Sequence, residues 1–239
     1  EYSSRYEETQ GFSATFNRFQ KGLVERLINR YQLRGKTVLE IGCGKGEFLM
    51  LFAEMGGNRG IGFDPSYIPS RNQSPAADKV TFVKDFFSEK YANVQADFIA
   101  CKMTLEHIHA TGAFLDMVRK TIGENSDTIV FFQVPESQRI LGNCAFEDIY
   151  YEHCSYFSSY SLVWLFEKAG FEVLNVGLEY GGQYLTIEAR PANGLQGSSR
   201  LFRQEMTQLQ QMVAEFPETF RQKVAVSYTH LTLPTKRIV

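Results

Sequence analysis

Apolar positions recur along this chain at two different periods. Phe16, Phe19, Leu23, Leu27 and Tyr31 keep a three-to-four spacing with Val24 and Ile28 beside them, which predicts an amphipathic helix over residues 15–32. Thr37–Ile41 is a short apolar run and reads as a strand. The glycine turn Gly42-Cys-Gly-Lys-Gly46 follows, then a helix from Glu47 to Met55 that Gly56-Gly57 stops. Gly60–Phe63 predicts a second strand ending at Asp64-Pro65. Residues 66–78 are rich in Ser, Pro, Asn and Asp and read as loop or short helix. Val80–Val83 and Asp97–Cys101 predict strands three and four, Thr111 to Ile122 a helix, and Asp127 to Gln133 strand five, closed by Val134-Pro135. Residues 136–158 form a polar, aromatic insertion. A helix over 159–169 ends at Gly170, and Phe171–Gly177 and Gln183–Ala189 pair as a hairpin or bulged ribbon across Leu178–Gly182.

Strands alternating with helices imply a parallel sheet covered on both faces. The predicted class is α/β, a Rossmann-like doubly wound sheet of seven strands with an antiparallel edge hairpin. Residues 1–193 make this unit, and Gly194 to Ser199 make a linker. Residues 199–224 read as one amphipathic helix in which Pro217 marks a break. Such a helix needs a surface to pack on, so 194–225 is expected to lead into a further domain. The last fourteen residues, Val226 to Val239, lack a helical period and resemble the translation of a transposase mosaic-end sequencing adapter. Native sequence is therefore expected to stop near Ala225. His230 is left out of the functional reading. The chain opens at Glu1 without an initiator Met, so residues upstream are expected, and its first residues have no signal-peptide pattern.

Composition narrows the function. Of 239 residues, 25 are Lys or Arg and 27 Asp or Glu, giving −2, so no basic excess draws nucleic acid or anionic lipid. Aromatic residues reach 14 %, enough for a large core and an aromatic-walled pocket. No run approaches the roughly 18 apolar residues of a membrane helix. Cys43, Cys101, Cys144 and Cys154 form no CxxC pair and fit no zinc pattern, so free thiols in a reducing cytoplasm are expected. No metal site is predicted; a set made of Glu106, His107, His109 and His153 is the minority alternative.

The strongest chemical signal is Val38-Leu-Glu-Ile-Gly-Cys-Gly-Lys-Gly-Glu-Phe48. Gly42, Gly44 and Gly46 allow a tight strand-to-helix turn against which a ligand can lie, at a helix N-terminus. A phosphate loop is excluded because Gly46, not Ser or Thr, follows Lys45. The dinucleotide fingerprint fails because Glu47 stands where its third glycine belongs. Glu40 is misplaced beside a phosphate and well placed beside a cation or ammonium. Asp64 lies 18 residues after Gly46 at the end of strand two, where an acid can accept ribose hydroxyls. Asp85 ends strand three; it or the backbone of Phe86 can hold an adenine amino group, with Phe86 or Phe87 against the ring.

This ordered set resembles the class I S-adenosylmethionine-dependent methyltransferases: E-x-G-x-G-x-G, an Asp after strand two, and Asp-Phe after strand three. A nicotinamide enzyme, or glycines and acids that are merely structural, are the alternatives. The resemblance implies S-adenosyl-L-methionine as cofactor, and it extends the cofactor side to Cys43, Pro65 and Lys102. Further on, Leu105-Glu-His-Ile108, Gln133-Val-Pro135, Tyr150-Tyr-Glu-His153 and Glu179-Tyr-Gly-Gly-Gln-Tyr184 resemble the C-methyltransferases of nucleotide-linked deoxysugars. In that family a second Rossmann-like domain follows a helix like 199–224. The family's N-terminal zinc domain, with its cysteine pairs, has no counterpart in this chain.

The resemblance implies that Tyr150 to His153 is the catalytic stretch, and its residue types suit the task. A carbon becomes nucleophilic only when a proton beside a ketone is removed, and a His of near-neutral pKa can take it. Glu152 would orient the imidazole or bind substrate, and Tyr150 would hydrogen-bond the enolate oxygen. His107 would line the acceptor pocket, or serve structurally with Glu106. Tyr6 would close over the pocket or simply pack. The alternatives for His153 and the tyrosines are a surface or capping role and packing. The expected partner is a small molecule, a nucleotide-linked sugar first. Oxygen or nitrogen acceptors, or a cofactor-binding module without activity, are the other readings; nucleic acid and membrane are not expected.

Overall fold

The computed structural model describes residues 12–68, 74–92, 94–192 and 200–231, with side chains at 200–204 and 226–231 set aside. Tyr6 lies outside these residues, as does the tail beyond Leu231.

Five strands, β1 (Thr37–Ile41), β2 (Arg59–Phe63), β3 (Val80–Val83), β4 (Phe98–Lys102) and β5 (Ile129–Pro135), run parallel. β6 (Phe171–Glu179) and β7 (Tyr184–Pro191) complete the sheet in the order β3-β2-β1-β4-β5-β7-β6, with β7 antiparallel to both neighbours. The predicted class and strand count hold. The order reverses between β1 and β4, so the carboxyl ends of these two strands open a crevice.

Helices cover both faces, which is why the strands read as continuous apolar runs. Val38, Phe98, Ala100 and Phe131 pack on α1 (Ala14–Tyr31) and α2 (Glu47–Gly56). Leu39, Ile41, Cys101, Phe132 and Val134 face the other way, toward α3 (Thr111–Ile122) and α5 (Ser159–Lys168). Glu40 is the one acid on β1, and it lies buried on the α1–α2 side.

Three local readings are corrected. β5 runs on through Val134 and Pro135, because Pro135 pairs with Tyr184 at the end of the antiparallel ladder. The insertion is not all loop. Glu136 accepts from the Gln138 and Arg139 N–H groups and so caps α4 (Ser137–Gly142). Pro217 breaks nothing: α6 (Arg200–Leu231) runs through it, and residues 226–231, read as aperiodic, continue the helix. An interior Pro costs a helix about 3 kcal/mol. Anchors on both sides of it offset that cost: Gln138 donates to Glu205 at 3.1 Å, Phe220 meets the Phe146 ring edge-on at 5.0 Å, and Lys223 donates to the Cys144 carbonyl at 2.6 Å.

Candidate active site

The glycine turn is held by backbone bonds. Gly42 and Cys43 donate to the Phe63 carbonyl at 2.8 and 3.2 Å, and Gly46 donates to Cys43 at 2.7 Å. Gly42, Gly44 and Gly46 all have positive φ, which L side chains rarely adopt. At Gly42 space is short as well, since an added Cβ would meet Thr104 Oγ1 at 2.1 Å. Gly46 is the N-cap of α2 and offers no side-chain acceptor, so the start of that helix opens onto the turn.

The predicted cofactor-side residues sit at or near the carboxyl ends of β1 to β4. Asp64, 8 % exposed, accepts from the Gly44 N–H at 2.8 Å and from the Ser66 N–H and hydroxyl at 2.7 and 2.6 Å. Three of about four carboxylate lone-pair positions are thus taken. One remains, enough for one ribose hydroxyl rather than the two expected. Pro65 is half-buried in the same bend. Cys43 is buried, and burial raises its thiol pKa, so it is inert and contributes shape.

Glu40 is 3 % exposed with Oε2 unpartnered among the described residues. Burial pushes its carboxyl up to about 8, against the pull of Lys102 and the Leu49 N–H. Lys102 is pushed down by burial. Its ammonium lies 3.8 Å from the Phe48 ring centroid and donates to Gln20 at 3.3 Å, so it turns under α1 rather than out along the edge. The sequence reading missed Gln20, although a polar residue within the apolar stripe of α1 was the available signal. It also missed Thr104, for which no signal existed.

Asp85 is largely occupied. Lys90 and Tyr91 bond its carboxylate and hold it below the usual range, and the Phe86 N–H donates to it at 2.8 Å. That N–H is engaged, and the acid keeps one acceptor position, on Oδ1. Phe86 stands 68 % exposed at the rim, whereas Phe87 is 8 % exposed against Phe63 at 5.1 Å. Of the two rings offered for adenine, Phe86 is exposed and Phe87 belongs to the core.

Of the predicted catalytic residues, His107, Tyr150 and His153 come together, by a route the sequence did not suggest. Thr104 lies on Gly42, and the tight helical turn Leu105–His107 starts beside it. The Glu106 carbonyl accepts from the Cys154 and Ser155 N–H groups at 2.7 and 3.1 Å, which docks the insertion onto this turn. His107 and His153 then meet edge-on with ring centroids 4.8 Å apart, flanked by Tyr150 at 5.1 Å and Tyr156 at 5.5 Å from His153. The Tyr150 N–H donates to the Tyr156 hydroxyl at 3.1 Å.

Two expectations change. The Glu152 side chain is exposed and bears on His153 through its charge, which opposes the downward pull on that imidazole, while its backbone carbonyl accepts from His107 Nδ1 at 3.3 Å. His153 is not near neutral pKa: burial, with His107 beside it, draws it down to about 4. His109 Nε2 lies 3.5 Å from the Cys154 sulfur. Tyr180 and Tyr184 stack at 5.5 Å, and Phe19 packs on Tyr180 at 5.0 Å. Tyr184 pairs with Pro135 at the carboxyl end of β5, so these rings form an aromatic wall at the same edge.

A reversed-order sheet with a glycine turn at its switch point and acids ending the next two strands defines a class I methyltransferase fold. Residues 16–176, more than half of the chain, match the family described as "Methyltransferase domain". The chain belongs to that family, the S-adenosylmethionine-dependent methyltransferases. It is 30 % identical over 180 residues to the C-methyltransferase NovU of Streptomyces niveus, covering 71 % of this chain and 41 % of that protein, so it spans about two fifths of that relative's length. Two solved structures share the fold. The N,N-8-amino-8-demethyl-D-riboflavin dimethyltransferase of Streptomyces davawensis has TM-score 0.59 and 17 % identity, over 75 % of this chain and 56 % of that one. The magnesium protoporphyrin IX methyltransferase of Synechocystis, solved with SAH, has TM-score 0.55 and 15 % identity, over 73 % and 83 %.

Proposed function

We propose that this protein methylates a small molecule at a carbon beside a ketone, on a nucleotide-linked sugar. The observation that carries this is the meeting of His153 and His107 with Tyr150 and Tyr156 on a turn that begins at Gly42. The resemblance to a C-methyltransferase supports carbon as the acceptor.

The residues present fit the cofactor. Glu40 has an unpartnered buried oxygen, Asp64 keeps one acceptor position, and the exposed Phe86 ring offers a face to adenine. S-adenosylmethionine, when bound, supplies a methyl group on a positively charged sulfur. The chain's own residues do the rest. Gly42, Gly44 and Gly46 let the ligand lie on backbone, and the aromatic wall excludes water from the acceptor. His153, neutral at physiological pH, takes the proton from the acceptor carbon, and Tyr150 steadies the developing oxyanion. General base catalysis of this kind is worth roughly 10²–10⁴-fold.

A second reading, transfer to oxygen or nitrogen, draws on the low basicity of His153, since a hydroxyl is more acidic than a ketone-adjacent C–H, and an amine attacks through its lone pair and loses a proton only after the methyl group has arrived. Exchange separates the two. With S-adenosylhomocysteine bound, the α-proton of a ketosugar nucleotide should exchange with deuterated water, and His153→Asn should slow this at least 100-fold. Methyl transfer without α-exchange would replace the carbon reading with the second one. Neither exchange nor transfer, with cofactor bound, would mean a binding module.

A further inference from the structure

Beneath the two histidines lies a cluster that proton transfer leaves unexplained. Glu106 is 1 % exposed, and neither carboxylate oxygen has a hydrogen-bond partner among the described residues. His153 Nδ1 is likewise buried and unpartnered. One carboxylate oxygen of Glu106, one ring nitrogen of His107 and one of His153 lie within 4.8 Å of one another. Burying polar atoms unpaired costs about 1–3 kcal/mol each, so a cluster of electron-pair donors needs something electron-poor among them.

We infer that Glu106, His107 and His153 form a binding site for a divalent transition-metal ion whose open positions face the methyl acceptor. Two imidazoles and one carboxylate suit zinc and its first-row neighbours, and a three-ligand set leaves room for an exogenous oxygen. Metal–ligand bonds of about 2.0–2.2 Å place tetrahedral ligands roughly 3.4 Å apart, so atoms now within 4.8 Å of one another need draw in by at most about 1.4 Å. The backbone bonds from Cys154 and Ser155 to the Glu106 carbonyl hold the two sequence segments at this distance.

The inference rests on reading this corner as the acceptor side, and it alters how the proton leaves. A ring nitrogen bonded to the ion cannot also accept a proton. In the ion-loaded protein the acceptor's carbonyl oxygen takes an open position. Hydroxide on the ion, formed when bound water loses a proton to solvent, would remove the adjacent proton: the C–H pair becomes the C=C bond, the carbonyl π pair moves onto oxygen, and hydroxide becomes water. His153 then works through the ion rather than directly.

The test is a Co²⁺ titration of the full chain after chelator treatment, read by visible d–d absorption, with Zn²⁺ as competitor. One ion per chain should bind, and Glu106→Gln and His153→Asn should each weaken binding by 100-fold or more. Cys154→Ser and His109→Asn should leave it unchanged. Far-UV circular dichroism and melting report whether each variant folds; should Glu106→Gln fail to fold, Glu106→Asp, with its shortened reach, serves in its place. A folded wild type that binds no ion saturably, or whose binding ignores Glu106 and His153, overturns the site. Metal-stripped enzyme with full activity, while His153→Asn is inactive, overturns the ion's part in proton removal and leaves direct base catalysis standing. Loss of ion binding in His153→Asn with activity intact defeats direct and ion-mediated proton removal alike.

Discussion

Gly42 shows how a single residue can be required twice over. Its φ of +69° suits glycine, and Thr104 fills the space where a Cβ would go. Gly42→Ala should cost roughly 1–3 kcal/mol from backbone strain alone, and more from the clash. Urea denaturation should show this, and Thr104→Ala in the same chain should recover only the clash. Asp85 illustrates a different residue-level effect. Its folded pKa is depressed by Lys90 and Tyr91, so its stabilisation is complete above its unfolded value of about 3.9 and is lost as pH falls through the lower folded value. Melting temperature should therefore drop on acidification below about pH 4, and Asp85→Asn should flatten that part of the profile. The glycines and acids were legible from spacing. That Asp85 is already engaged was not, because Lys90 and Tyr91 reach it through a turn whose geometry no pattern specifies.

At the scale of elements, the Phe86-Phe87 pair after β3 divides its labour. Phe86→Ala should weaken S-adenosylhomocysteine binding about tenfold, which is about 1.4 kcal/mol, and leave stability unchanged, since the ring is mostly exposed. Phe87→Ala should cost about 3–5 kcal/mol of stability. Calorimetric titration and thermal melts on both variants check the division; a stability loss at Phe86 would show it to be core. Hydrophobic period gave helices α1, α2, α3 and α5 to within a residue or two, because each buries one clean stripe. It failed for the insertion, where α4 is nucleated by Glu136 acting as a cap, and at Pro217, where distant anchors outweigh a local breaker.

Across the whole molecule, α1 is clasped to the antiparallel edge through charge. Glu188 on β7 is buried and accepts from Arg30 at 2.7 Å, from Tyr31 and from Asn175 at 3.1 Å. Glu188→Ala leaves the Tyr31 and Asn175 donors short of a partner. It should cost roughly 1–3 kcal/mol in denaturant unfolding and loosen the aromatic wall that α1 shares with Tyr180 and Tyr184. The partners stand 157 residues apart in the chain, so nothing local announces them. What the sequence determined by itself is periodic or closely spaced: the strand–helix alternation, the glycine turn and the acids that end the strands. These depend on backbone geometry within a few residues. Tertiary structure alone decided which of those groups meet. It set Lys102 under α1, engaged Asp85, buried Glu106 and brought His107 to His153, because burial and pairing are properties of the surroundings, and the fold supplies them from distant segments.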